Sequence, residues 1–227
     1  MSESKTPVLF ERRGANGLCP STVCWRVRIA LAVKGLEYQR RPMRFVDADD
    51  FAAELGTRQV PVLVDGKKTI VGSDSIAAHL DQTRIGPSVG PANDPGPSTD
   101  MLEADLGSRI LPLAAQDMLS HLVPEDRDYY RSSREKRLGA SFEALEAKRA
   151  AAELDLAFAI GRLDEALAAR PYLAGDGPGW SDIVAFCFLF WIDHVSPRSM
   201  PELPDSVRAW YDERRDAWSS ICLEPAE

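Results

Sequence analysis

Cysteine and histidine are scarce in this chain, four and three in 227 residues. Cys19, Cys24, Cys187 and Cys222 stand too far apart for a zinc cluster, and His79, His121 and His194 fall at no ligand spacing with them, so no structural metal is expected. Nor do four thiols make the disulfide framework of a small secreted domain; reduced cysteines are the default. Basic residues are the minority, 27 Lys and Arg against 35 Asp and Glu, for a net charge of −8. That balance argues against a general affinity for nucleic acid or for an anionic membrane surface. The chain opens on no basic segment followed by an apolar run, and its longest apolar stretch, residues 183–192, is too short to span a bilayer. A soluble, cytoplasmic protein is expected.

What is present begins with residues 8–38. Val8, Leu9 and Phe10 form a short apolar run, and Gly14, Asn16 and Gly17 mark a loop. From Thr22, apolar residues recur at Val23, Val27, Ala30, Leu31 and Val33, the spacing of a helix with one buried face, and Lys34-Gly35 supplies its stop. Ser21 therefore stands at a helix mouth. Backbone N–H groups lack partners there and the helix carries roughly half a positive charge, so an anion such as a thiolate is stabilised. A hydroxyl at that point can donate to the anion, or it can serve as an ordinary N-cap; position alone leaves both roles open.

Further along, residues 38–43 read as a strand, 49–55 as a helical turn, and Val62-Leu63-Val64 as a buried strand ending in the Asp65-Gly66 hairpin signal. Residues 68–71 return, and a helix opens at Ser73-Asp74. The order β-α-β-(α)-β-β-α, with Pro61 opening the third strand, is the thioredoxin-like layout. Residues 84–100 are rich in proline, glycine and serine, a linker. Beyond it come helical patterns at 101–122, with a kink expected at Pro112, then from Pro124, over 141–169, over 183–195 and over 205–218. Residues 183–195 are apolar nearly all round, the mark of a central bundle helix. The expected fold is α/β plus all-α: a thioredoxin-like domain over 1–83, a linker over 84–100 and an all-helical domain over 101–227.

Trp25-Arg26-Val27-Arg28-Ile29-Ala30-Leu31-Ala32-Val33-Lys34-Gly35 resembles the first helix of the zeta class of cytosolic glutathione transferases, the maleylacetoacetate isomerases. Gln59-Val60-Pro61 is similar to that family's cis-proline strand, Ser73 to the serine that binds the glutathione γ-glutamyl carboxylate, and Leu173-Ala174-Gly175 with Ser181-Asp182 to its buried capping box. Residues 124–139, 178–183 and Trp191 resemble the etherase-like transferases of fungi and bacteria, with Ser21 at the place of their catalytic serine and Thr22 where they commonly carry proline. The resemblance implies glutathione as cofactor, Ser21 as its thiol activator, and a binding site of Ser21, Thr22, Gln59, Val60, Pro61, Ser73 and Asp74. It further implies a small hydrophobic electrophile, of the β-aryl-ether kind, as second substrate, and a homodimer. A zeta-like cis–trans isomerase and a non-catalytic ligand-binding homologue stay open as alternatives. Gly72 stands where the family often has glutamate or glutamine, which removes one expected contact.

Cys19, carried by a loop and expected near the surface, is the next candidate activator; Cys24 reads as a small buried helix residue. Arg26 and Arg28 read as solvated or structural, and with Arg109 they are the cations available should the cleft receive carboxylates. Asp182 is expected to cap the core helix, worth about 0.5–2 kcal/mol. Tyr129, Tyr130 and Trp180 are candidate pocket walls. The histidines show no partner acid in the sequence and receive no role.

Overall fold

The computed structural model describes residues 6–226. The first half runs β1 (Val8–Arg12), α1 (Thr22–Val33), β2 (Gln39–Met43), α2 (Ala48–Leu55), β3 (Val62–Asp65), β4 (Lys68–Val71) and α3 (Ser73–Thr83), the expected thioredoxin-like order. Its sheet is ordered β2-β1-β3-β4, with β1 parallel to β2 and antiparallel to β3. Placing β1 inside the sheet buries Leu9, Phe10 and Glu11, and the carboxylate among them needs a partner. Arg28 supplies it from α1, with Nε and Nη2 donating to Glu11 at 2.6 and 2.7 Å. The same guanidinium donates from Nη1 to the carbonyls of Cys222 and Glu224 near the other end of the chain. Arg26 and Arg28 are both buried, so of the two expected readings the structural one holds. His79 corrects the expectation that the histidines lack an acid: its Nε2 lies 2.8 Å from Asp65 Oδ2, an approach from α3 onto the end of β3.

The second half is helical, but more broken than its sequence pattern suggests. The stretch 101–122 divides into α4 (Thr99–Leu102), one π-helical turn (Glu103–Gly107), α5 (Ser108–Ala114), which contains Pro112, and a 3-10 turn (Asp117–His121). Gly107 keeps helical backbone angles, and a Cβ there would lie 2.9 Å from the Phe188 ring, so the backbone presses directly on the core helix. Then follow α6 (Pro124–Leu138), α7 (Phe142–Glu146) and α8 (Arg149–Ala168); Lys148 leaves helical geometry and divides the expected 141–169 helix in two. The central helix α9 (Trp180–Val195) is buried along nearly its whole length, and α10 (Asp205–Leu223) runs past the expected end at 218. Rings knit α9 to both halves: Phe190 sits 5.4 Å from Trp25 of α1, and Phe186 sits 5.4 Å from Trp218 of α10.

Asp182 does more than cap α9. Its carboxylate accepts from the N–H groups of Leu173, Ala174 and Gly179 at 2.9, 3.0 and 3.1 Å, and from the Trp210 indole at 2.7 Å. The proline-rich segment is likewise pinned. Asp81 accepts the Val89 and Gly90 N–H groups, and Asp94 accepts from both the backbone and the hydroxyl of Ser181. These bonds fix the sheet against the bundle, and the cleft between them takes its shape from that docking.

Candidate active site

The cleft has a volume of about 560 Å³ and lies where the end of β1 and the mouth of α1 face α5, α6 and α9. Ser21 and Thr22 line it. The first helical bond of α1 runs from Trp25 N–H to Ser21 C=O at 3.0 Å, so the amides of Thr22, Val23 and Cys24 precede it without a helical partner. No acidic side chain sits in this first turn to compete with an incoming anion. The Ser21 side chain makes no capping bond. The hydroxyl, which lines the cleft, shares a hydrogen bond with the Cys24 thiol. Trp191 Nε1 donates to the Pro20 carbonyl at 3.1 Å and Trp25 Nε1 to the Cys19 carbonyl at 2.8 Å, which anchors the loop on the approach to Ser21.

Of the other expected residues, Val60 lines the same cleft, while Gln59, Pro61, Ser73 and Asp74 lie outside its wall. The Val60–Pro61 peptide is cis. Val60 makes no backbone hydrogen bond among the described residues, whereas the Pro61 carbonyl accepts the Gly72 N–H at 2.9 Å and so ties this strand to the start of α3. That start is a second helix mouth: the first bond runs from Ile76 N–H to Gly72 C=O, leaving the Ser73, Asp74 and Ser75 amides outside the helical ladder. Ser73 is buried and its hydroxyl donates to Asp74 at 3.3 Å.

Cys19 is not near the surface as expected; it is buried at 2% exposure. Burial, reinforced by a hydrogen bond shared with Cys24, raises its thiol well above the ordinary range, so it is a poor source of thiolate. Among the aromatic candidates only Tyr130 lines the cleft. Tyr129 is exposed, and Trp180 is buried with its indole donating to Thr99 Oγ1 at 2.9 Å. Arg109 is held by Asp105 at 3.0 Å, and Arg26 by Glu103 at 2.9 Å.

Sequence reasoning missed the cations that do line the cleft: Arg12, Arg134 and Arg137. Arg12 lies 4.2 Å over the Phe45 ring, and Arg134 lies 4.8 Å over the Tyr130 ring. The available signal was the i, i+4 spacing of Tyr130 and Arg134 and the i, i+3 spacing of Arg134 and Arg137, which put all three on one side of α6.

The glutathione S-transferase N-terminal domain profile matches residues 17–88, and the family's C-terminal domain profile matches residues 99–224. The chain belongs to the glutathione S-transferase family. Mouse maleylacetoacetate isomerase is 32% identical over 133 residues, covering 56% of this chain and 60% of the mouse enzyme; the match thus spans less than two thirds of that relative. Glutathione S-transferase Z1 of Arabidopsis thaliana is 41% identical over 68 residues, 27% of this chain and 30% of its own. Among solved structures, a glutathione S-transferase of Ceriporiopsis subvermispora in complex with glutathione superposes with a TM-score of 0.75 at 21% identity, covering 98% of this chain and 100% of its own. Glutaredoxin 2 of Salmonella typhimurium, also in complex with glutathione, gives 0.70 at 17% identity over 97% of this chain and 100% of its own. The structural likenesses establish the fold. No helix among the described residues is long and apolar enough to cross a membrane.

Proposed function

We propose that this protein is a glutathione transferase that binds glutathione with its sulfur at the mouth of α1, where Ser21 donates a hydrogen bond that stabilises the thiolate. The observation that carries this is the Ser21 hydroxyl, which makes no capping bond and lines the cleft, beside the first-turn amides that precede the helical ladder. Lowering a thiol from about 8.5 to about 6.5 requires roughly 2.7 kcal/mol of preferential thiolate stabilisation. A hydroxyl bond of about 1 kcal/mol, a helix mouth of about 0.3–1 kcal/mol and partial exclusion of water together approach that figure. Thr22 would stand beside the sulfur. Gln59 and the free backbone of Val60, ahead of Pro61, would hold the tripeptide's middle, and the α3 mouth at Ser73 and Asp74 its γ-glutamyl end.

In the reaction we favour, the thiolate forms a carbon–sulfur bond to a carbon bearing an aryl ether, the carbon–oxygen bond breaks, and a phenolate leaves. Holding both reactants in one cleft supplies much of the rate. The apolar wall of Ile110, Leu111, Met118, Phe188 and Trp191 suits an aromatic substrate. A second reading, glutathione-dependent cis–trans isomerisation, draws on the likeness to the mouse maleylacetoacetate isomerase. The homodimeric state, the cytoplasmic location and the division at residues 83 and 101 belong to the same proposal. Ultraviolet titration of bound glutathione tests it: a thiolate near neutral pH that moves upward in Ser21→Ala is expected, and an unmoved titration would remove Ser21 from the mechanism. Assays with a β-aryl ether and with maleylacetone decide between the two reactions.

A further inference from the structure

The cleft is electrically lopsided in a way that a neutral substrate does not use. Arg12, Arg134 and Arg137 line one side, and none of them forms an ion pair with a carboxylate among the described residues. The other charged residue lining the cleft, Glu103, is committed to Arg26 at 2.9 Å. Arg12 spends one nitrogen on the Arg44 carbonyl at 3.1 Å and Arg134 one on the Ser133 hydroxyl at 3.2 Å, which leaves donors on both guanidinium groups. Their planes are held by the Phe45 and Tyr130 rings. Arg12 is also electrostatically costly where it stands. Burial first, with repulsion from Arg134, depresses the Arg12 guanidinium despite Cys24, Asp126 and Cys19 nearby. Like charges gathered around an open space, with Asp126 near Arg12 but no carboxylate in ion-pair contact with any of the three, are relieved by an anion entering that space.

The opposite side is apolar, with Leu111, Phe188 and Trp191. The geometry points to a second substrate that is an aromatic electrophile carrying a carboxylate: the ring lies on the apolar wall and the carboxylate faces Arg12, Arg134 and Arg137. This rests on the reading of the cleft as a glutathione transferase site, and it names the substrate class that site selects. Arg134 and Arg137 are specificity-determining residues here; they act on the far end of the substrate, away from the reacting carbon.

The test compares 4-chloro-3-nitrobenzoate with its uncharged counterpart, 4-chloro-3-nitrotoluene, as glutathione acceptors. In the unmodified protein kcat/KM favours the carboxylate, and the preference weakens as sodium chloride is raised. In Arg134→Gln, and in Arg134→Gln combined with Arg137→Gln, the ratio of the two kcat/KM values falls by at least about tenfold, chiefly through KM for the carboxylate, as expected for loss of a charge-assisted bond. Lys136→Gln, the same charge change on the exposed side of α6, leaves the ratio within about twofold, the range of a screened surface charge. A ratio unmoved by the Arg134 variants overturns the inference, and so does a rise in KM for glutathione with the ratio intact, because the arginines would then hold the tripeptide. Quenching of tryptophan fluorescence by 4-chloro-3-nitrobenzoate without glutathione separates the two claims. Quenching that saturates and weakens in Arg134→Gln supports the anion site even where no conjugation occurs, and quenching of equal strength in variant and parent overturns it.

Discussion

Asp182 offers the sharpest test of how this fold is held. Replacing it with alanine removes one carboxylate and strands four donors at once, the amides of Leu173, Ala174 and Gly179 and the Trp210 indole. Leu173 and Trp210 are buried at 0% and 3% exposure, so their N–H groups find no water after the substitution. A buried donor left without a partner costs about 1–3 kcal/mol. The Ala174 and Gly179 amides are half-buried and recover part of their loss from solvent. The total is about 3–5 kcal/mol, above the 0.5–2 kcal/mol of a cap acting alone. For a chain of this length that corresponds to a fall in Tm of roughly 6–20 °C. Asp182→Asn is milder: its carbonyl oxygen still serves two donors, while its NH2 faces two N–H groups that need an acceptor. Thermal unfolding followed by tryptophan fluorescence at fixed protein concentration, with urea midpoints as a second measure, reads both variants. A loss below about 2 kcal/mol in Asp182→Ala would show that the indole and loop contacts carry no weight and that the carboxylate is only a cap.

Other expectations follow from the same reasoning. Glu11→Ala leaves Arg28 buried without its carboxylate and is expected to destabilise the protein by about 3–5 kcal/mol, measured by urea unfolding; a change below 1 kcal/mol would mean that the carbonyls of Cys222 and Glu224 suffice for that charge. His121 and His194 lie with ring centroids 5.2 Å apart, and burial holds both below the ordinary histidine range. The unfolded chain therefore takes up protons that the folded one refuses as pH falls below about 6.5, and stability declines there; His121→Gln with His194→Gln should flatten that decline in urea midpoints, and parallel curves would refute the assignment. Gly107→Leu drives a side chain into the Phe188 ring and should both lower Tm and reduce the cleft's uptake of nitrobenzoates.

The two sides of the cleft differ in how much of them the sequence reveals, and the difference is physical. Ser21 is readable because helix periodicity from Val23 to Val33 and the loop glycines before it are local signals, and a helix mouth is created by the chain immediately around it. The hairpin at Asp65 and the start of α3 are readable for the same reason. Arg12 and Arg134 are not, since one ends a strand, the other lies late in a helix, and only the docking of sheet on bundle brings them together. Cys19 misleads because a loop residue is ordinarily exposed, whereas here Trp25 bonds back to the Cys19 carbonyl and draws the loop onto α1. The helix expected over 101–122 takes a π turn over Glu103–Gly107 and turns 3-10 from Asp117, and the one expected over 141–169 breaks at Lys148, where a local change of backbone overrides good helix-forming composition. In the proposed function, chemistry at the sulfur depends on a single short stretch, while the choice of electrophile depends on elements far apart in the chain. Substitutions on α6 should consequently change which acceptor is used without moving the thiolate titration, and substitutions at Ser21 should do the reverse; a variant at Arg134 that shifted the titration of bound glutathione would show that the two functions share one set of residues after all.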